Sequence, residues 1–126
     1  MNYEMLVGKR VLVVEDEYLI AEDVRTALTM VGAEVVGPCA TVAAAIQASA
    51  LAPAPDAAVL DINLAGERVF PAAARLVDRG VPCLFTTGYD DIAIPELFAH
   101  CPRLRKPAGL RAMLDALATL VAPAAP

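Results

Sequence analysis

An acidic run, Glu15-Asp16-Glu17, follows the apolar segment Val11-Leu12-Val13-Val14, and Asp61 closes Ala57-Ala58-Val59-Leu60. Thr87 follows Cys83-Leu84-Phe85-Thr86, and Lys106 comes just after Arg103-Leu104-Arg105. Each of these runs reads as a strand, so each chemical group sits where a strand should end. In an open α/β sheet the carboxyl ends of parallel strands share one edge. Residues distant in sequence converge there, at the crevice where such folds bind ligands. Carboxylates, a hydroxyl and a lysine brought together can hold a divalent metal ion and a phosphoryl group against a carboxylate nucleophile.

Magnesium takes hard oxygen ligands and keeps several waters, so a small number of protein oxygens is enough. Asp16 and Asp61 are the expected direct ligands, Glu15 can act through a bound water, and the backbone carbonyl of Asn63 can complete the protein's share. Asp61 beside that metal has the attributes of a phosphoryl acceptor. Thr87 offers a hydroxyl donor, and Lys106 a mobile positive charge, to the other phosphoryl oxygens. Each group also has a plainer alternative: the acidic run as an N-terminal helix cluster, Asp61 and Thr87 as turn residues, Lys106-Pro107 as a solvated loop. The coincidence of all four at strand ends tells against that alternative.

The elements that must position these groups alternate along the chain. A strand over residues 10–14 leads into a helix with Ile20, Val24, Ala27, Leu28 and Val31 at helical spacing and Gly32 as its stop. Val35-Val36 reads as a short second strand. Thr41 then caps a helix carrying Val42, Ala45, Ile46 and Ala50 on one side, which Pro53 ends. A third strand over 57–61 precedes a helix over 69–79, with Pro71 in its first turn and Gly80 at its C-terminus. Pro82 opens a fourth strand over 83–86, Leu104 centres a fifth, and the last helix presents Leu110, Met113, Leu114, Leu117, Leu120 and Val121. This order predicts a doubly wound, five-stranded parallel sheet with helices on both faces. The fourth unit is the weak one, because Pro95 leaves room for only about two turns of helix.

At 126 residues the chain reads as one domain, with a core over about 8–121 and a proline/alanine tail over 122–126. Its hydrophobic fraction of 58% owes its excess largely to alanine, and no stretch offers the roughly 18 strongly apolar residues that a membrane span needs. The longest charge-free stretch, residues 35–55, contains Pro38, Gln47, Ser49, Pro53 and Pro55 and suits a strand, turn and small helix better. The first residues have neither a basic start nor an apolar core of signal-peptide length, so a cytoplasmic location is expected. Cys39, Cys83 and Cys101 form no Cys-x-x-Cys pair, which favours reduced, packed thiols. The net charge of −5 tells against nucleic-acid binding. The basic residues Arg103, Arg105, Lys106 and Arg111 cluster beside the acidic site, where they can tune it or a partner surface. His100, the sole histidine, lies in the irregular region and suits a surface role better than phosphotransfer.

The whole pattern resembles the receiver domains of response regulators in two-component signalling, over essentially the full chain. In that family an acid pair follows strand one, here Glu15 and Asp16, and the phosphoacceptor follows strand three, here Asp61. Ser or Thr follows strand four, here Thr87, and Lys-Pro follows strand five, here Lys106-Pro107. The resemblance implies a flavodoxin-like (βα)5 fold with a shortened or irregular fourth helix. It further implies a stand-alone receiver that takes a phosphoryl group from a sensor histidine kinase onto Asp61 with Mg2+ and then switches its binding of a downstream protein. Phosphorylation and dephosphorylation would be self-catalysed, without a separate substrate, and homodimerisation is left open.

Phe85-Thr86-Thr87-Gly88-Tyr89 is similar to the Phe-Ala-Thr-Gly-Tyr segment of FAT GUY receivers, and Asp61-Ile62-Asn63-Leu64 followed by Gly66-Glu67 fits that group. This narrower resemblance implies a kinase of the HWE or HisKA2 type. The chain also departs from the family. Arg103 stands three residues before the lysine, where many receivers carry the aromatic switch, which leaves Tyr89 as the candidate switch; Ala108 replaces the common aromatic after Lys-Pro. Three other readings stay open at this level: a phosphate sink or relay intermediate, a degenerate partner-binding module, and an aspartyl-phosphate phosphohydrolase of the haloacid-dehalogenase kind. Members of the last class place the nucleophile after the first strand with a second aspartate two residues on, where this chain has Asn63.

Overall fold

The structure, a computed structural model, describes residues 3–88 and 93–123. Its elements run β1 (Arg10–Val14), α1 (Tyr18–Met30), β2 (Glu34–Cys39), α2 (Val42–Ser49), β3 (Ala57–Asp61), a hairpin of β4 (Asn63–Leu64) and β5 (Glu67–Arg68), α3 (Phe70–Asp78), β6 (Cys83–Thr87), β7 (Arg103–Arg105) and α4 (Leu110–Val121). The five longer-range strands form one parallel sheet in the order β2-β1-β3-β6-β7. This is the flavodoxin-like, doubly wound arrangement expected of the sequence.

β1 and β3 are apolar at successive positions because both of their faces are covered. Leu12, Leu60 and Phe85 pack in one layer with α2 and α3, through Ala45, Ala72 and Leu76. Val13, Val59 and Leu84 pack in the opposite layer with α1 and α4, through Val24, Leu28 and Leu117. Leu12, Leu60, Leu84 and Phe85 are fully buried, and each such side chain contributes roughly 1.5–3 kcal/mol relative to exposure. The same alternation decides which side of the sheet every strand-end group faces.

Several local features differ from expectation. β2 extends well beyond Val35-Val36, running through Gly37 and Pro38 to Cys39. It can do so because β2 is an edge strand, where a proline without an N–H breaks no second ladder. Gly37 sits at φ +94, and a Cβ there would lie 2.8 Å from Cys39 N and 2.9 Å from Val13 O. Thr41 does cap α2, its Oγ1 accepting from Ala44 N at 3.1 Å, but Ala48 rather than Ala50 completes the buried stripe. Leu110, expected in the apolar stripe of the last helix, is 41% exposed.

The hairpin after Asp61 was not expected. Ala65 at φ 51 and Gly66 at φ 94 both take the left-handed conformation that a tight two-residue turn requires. In place of two turns of helix, the described part of the fourth unit holds a single 3-10 turn, Glu96–Phe98, after Pro95. Phe98 is 2% exposed. Its ring stacks on Phe70 at 5.4 Å and meets Phe85 edge-on at 5.6 Å.

Candidate functional site

Parallel pairing aligns the strand ends: Val14 pairs with Leu60, Leu60 with Phe85, and Asp61 with Thr86. The residues just past these positions therefore share one edge, and there Glu15, Asp16, Asp61, Asn63, Thr86 and Lys106 line a cleft of about 570 Å³. Its floor is apolar, built from Val13, Val24, Val59 and Met113 between α1 and α4.

Lys106 ties the cleft together. Its Nζ donates to Glu15 Oε1 at 2.7 Å and to Asp61 Oδ2 at 2.9 Å. The two carboxylates are each 6% exposed, which would be unfavourable without that shared cation. Asp61 Oδ1 also accepts from Asn63 N at 3.3 Å, and Glu15 Oε2 from Glu17 N at 3.2 Å. The Lys106-Pro107 bond is cis, and Lys106 N donates to the Thr87 carbonyl at 2.7 Å, so the backbone beside the lysine is pinned to the end of β6.

Asp16 is the most accessible of the three acids, and its Oδ2 accepts from Ala65 N at 3.1 Å, fastening the β4–β5 turn over the site. One carboxylate oxygen from each of Glu15, Asp16 and Asp61 lies within 4.8 Å of the others. Such an all-oxygen, hard donor set fits Mg2+ rather than a thiophilic metal. The Asn63 side chain is turned into the hairpin, its Oδ1 accepting from Gly66 N at 3.0 Å and Arg68 Nη1 at 3.1 Å.

The electrostatics follow from this crowding. Burial drives the Glu15 carboxyl up to about 7; the Lys106 hydrogen bond pulls it down, and nearby Asp61 pushes it up again. Burial works against the Lys106 ammonium, but its hydrogen bonds to Glu15 and Asp61 outweigh that and raise its pKa. The cleft therefore holds a fixed cation between two carboxylates, with a third acid at the mouth.

Thr87 ends β6 as expected, but it is absent from the cleft wall, whereas Thr86 is part of it. The reason is alternation: Leu84 shares the layer of Val59, so Thr86 falls on the side of Asp61 and Thr87 on the side of Phe85. The expectation had singled out Thr87 alone. Counting by twos from Leu84 would have found Thr86 had the face of Leu84 been known. Tyr89 lies outside the described residues. Arg103, Arg105 and Arg111 are exposed, and of the basic cluster only Lys106 enters the cleft. His100 is exposed as expected. The three cysteines are free, and burial, with Cys101 nearby, pushes the Cys83 thiol up to about 12. No helix among the described residues is long and apolar enough to cross a membrane.

Comparison with solved structures found extensive likeness. The chain is 36% identical to SdrG from Sphingomonas melonis, with a TM-score of 0.75 over 94% of this chain and 99% of that one. It is 26% identical to the signal receiver domain of a modulated diguanylate cyclase from Desulfovibrio desulfuricans, with a TM-score of 0.73 over 90% and 94% of the two chains. It shares its fold with a response regulator receiver protein from Sinorhizobium medicae at 21% identity, with a TM-score of 0.76 over 90% and 94%. Neither a scan against protein-family models nor a search of curated proteins returned a match.

Proposed function

The chain belongs to the receiver-domain family of response regulators, and from that premise we propose that it accepts a phosphoryl group from a sensor histidine kinase onto Asp61 and thereby changes its affinity for a partner protein. The observation that carries this reading is Asp61 itself. It is a buried carboxylate at a strand end, hydrogen-bonded to Lys106 and grouped with Glu15 and Asp16 in an open cleft.

An Asp61 carboxylate oxygen attacks the phosphorus of the phosphohistidine donor. The new P–O bond forms as the P–N bond breaks, its electron pair staying on the donor's imidazole nitrogen. Lys106 rests beside Asp61, and its ammonium passes from there to oxygens of the transferring group, whose charge it neutralises. Mg2+, held by Glu15, Asp16 and Asp61 with the Asn63 carbonyl, would supply further positive charge against the phosphoryl oxygens. Thr87, which ends β6 outside the cleft wall, would donate its hydroxyl to a phosphoryl oxygen once that strand end turns toward the acyl phosphate. Hydrolysis reverses the state: water attacks phosphorus, the P–O bond to Asp61 breaks, and the carboxylate and inorganic phosphate are released.

Within this reading the chain is a single receiver domain over about 8–121 that catalyses only its own modification. The Phe85-Thr86-Thr87-Gly88-Tyr89 segment supports a FAT GUY assignment and hence a kinase of the HWE or HisKA2 type. The test is intact mass after incubation with acetyl phosphate and Mg2+. Wild type should gain about 80 Da, one phosphoryl group, and both Asp61→Ala and a metal-free control should gain nothing. A gain that survives in Asp61→Ala, or none in wild type even with a purified HWE-type kinase, rejects the proposal.

A further inference from the structure

β6 lies between β3 and β7, and Thr86 pairs with Asp61 on one side and with Leu104 on the other. Lys106 starts just beyond the end of β7, yet its Nζ reaches Asp61 at the end of β3 and Glu15 just past β1. The lysine side chain must therefore cross β6 on the cleft side of the sheet. The last β6 residue facing that side is Thr86, which lines the cleft together with Lys106. The Thr86 carbonyl accepts from Ile62 N at 3.0 Å, so the residue is held to the strand that carries Asp61. Its hydroxyl has no hydrogen-bond partner among the described residues.

We infer that Thr86 is a positioning residue for Lys106: its side chain forms the floor beneath the lysine arm, and its hydroxyl steadies the ammonium as it passes from the Glu15 and Asp61 carboxylates to an incoming phosphoryl oxygen. The inference rests on the proposed acceptor role of Asp61 for its last step, and on geometry alone for the first. It also gives a physical meaning to a departure from the Phe-Ala-Thr-Gly-Tyr pattern. Where that pattern has alanine, this chain places a hydroxyl on the side of the sheet that faces Asp61. A methyl group there would provide part of the floor but no hydrogen bond. A serine would keep the hydrogen bond.

The experiment compares wild type, Thr86→Val and Thr86→Ser. The first readout is the Lys106 side-chain NMR signal, at Cε and Nζ, in metal-free protein. The second is the initial rate of Asp61 phosphorylation by acetyl phosphate, followed by intact mass. Valine keeps the branched shape of a strand residue, so Thr86→Val should fold, and it should shift the Lys106 signal. It should also slow phosphorylation roughly 10-fold at saturating acetyl phosphate with little change in KM. Thr86→Ser should restore the signal and bring the rate to within about 3-fold of wild type. A Thr86→Val protein identical to wild type in both readouts overturns the inference, as does a Thr86→Ser protein as impaired as Thr86→Val. If wild type accepts no phosphoryl group, the reading of Asp61 fails and the Lys106 signal alone decides. A shift in Thr86→Val that Thr86→Ser reverses supports the positioning role, and no shift refutes it.

Discussion

Replacing Lys106 by methionine keeps the length of the side chain and removes its charge, which isolates the electrostatic function of the lysine. Its Nζ lies 2.7 Å from Glu15 Oε1 and 2.9 Å from Asp61 Oδ2. At an effective dielectric of about 20, each contact represents about 6 kcal/mol of gross attraction. Most of that is offset by taking the three charges out of water. What the variant exposes is the repulsion left behind. Carboxylate oxygens no more than 4.8 Å apart repel by at least about 3 kcal/mol on the same scale. Removing one partner of a fully buried ion pair costs about 3–5 kcal/mol. Because the Lys106 side chain is 20% exposed, the expected loss is smaller, about 2–3 kcal/mol, or roughly 10 °C in Tm for a chain of this size.

Two conditions should relieve that loss. Acid protonates Glu15, whose pKa burial raises to about 7, and so removes its repulsion with Asp61; the deficit seen at about pH 8 should shrink to below about 1 kcal/mol near pH 5. Divalent cations should also relieve it, because the ammonium no longer competes for Glu15 and Asp61. Mg2+ should therefore raise the Tm of Lys106→Met by more than it raises that of wild type. Thermal unfolding followed by circular dichroism, at both pH values with and without Mg2+, measures all of this. A variant as stable as wild type at about pH 8 would refute the reasoning, and so would a deficit indifferent to both pH and metal.

Glu15 makes a second prediction. Its pKa in the folded chain is raised from 4.5 to about 7 by burial, so the folded state binds that proton more tightly than the unfolded one. The resulting stabilisation is fully present below about pH 4.5 and is lost as pH rises through about 7, by at most about 3 kcal/mol. Urea titrations of metal-free protein across that window should show this decline in wild type and a flatter profile in Glu15→Gln; parallel profiles would contradict the assignment. For Phe98→Ala, the loss of a ring packed on Phe70 and Phe85 should cost about 3–5 kcal/mol. Limited proteolysis should then cut within residues 93–101 faster than in wild type. A loss below about 1 kcal/mol would mean that the three rings do not anchor this segment.

Much of the fold and of the candidate site was legible in the residues because it depends on local signals. Two-sided burial of β1 and β3 shows as uninterrupted apolar runs, the capping of α2 shows as Thr41, and the ends of α1 and α3 show as Gly32 and Gly80. Once those strands are taken as parallel, Glu15, Asp16, Asp61 and Lys106 must meet, whatever the details between them. The second strand, the hairpin and the fourth unit were less legible. Pro38 reads as a break unless β2 is known to be at the edge of the sheet, and Ala65 does not announce a left-handed turn. The meeting of Phe70, Phe85 and Phe98 depends on three elements whose relative placement no single segment encodes. The clearest division lies between Thr86 and Thr87. Adjacent residues of one strand point to opposite sides of the sheet, and only the packing of Leu84 with Val59, and of Phe85 with Leu60, decides which hydroxyl shares the cleft with Asp61. The sequence by itself determined which chemical groups gather at the strand ends, because strand order and direction bring them there. Tertiary structure alone decided which of their neighbours face them, because facing is set by contacts made across the sheet.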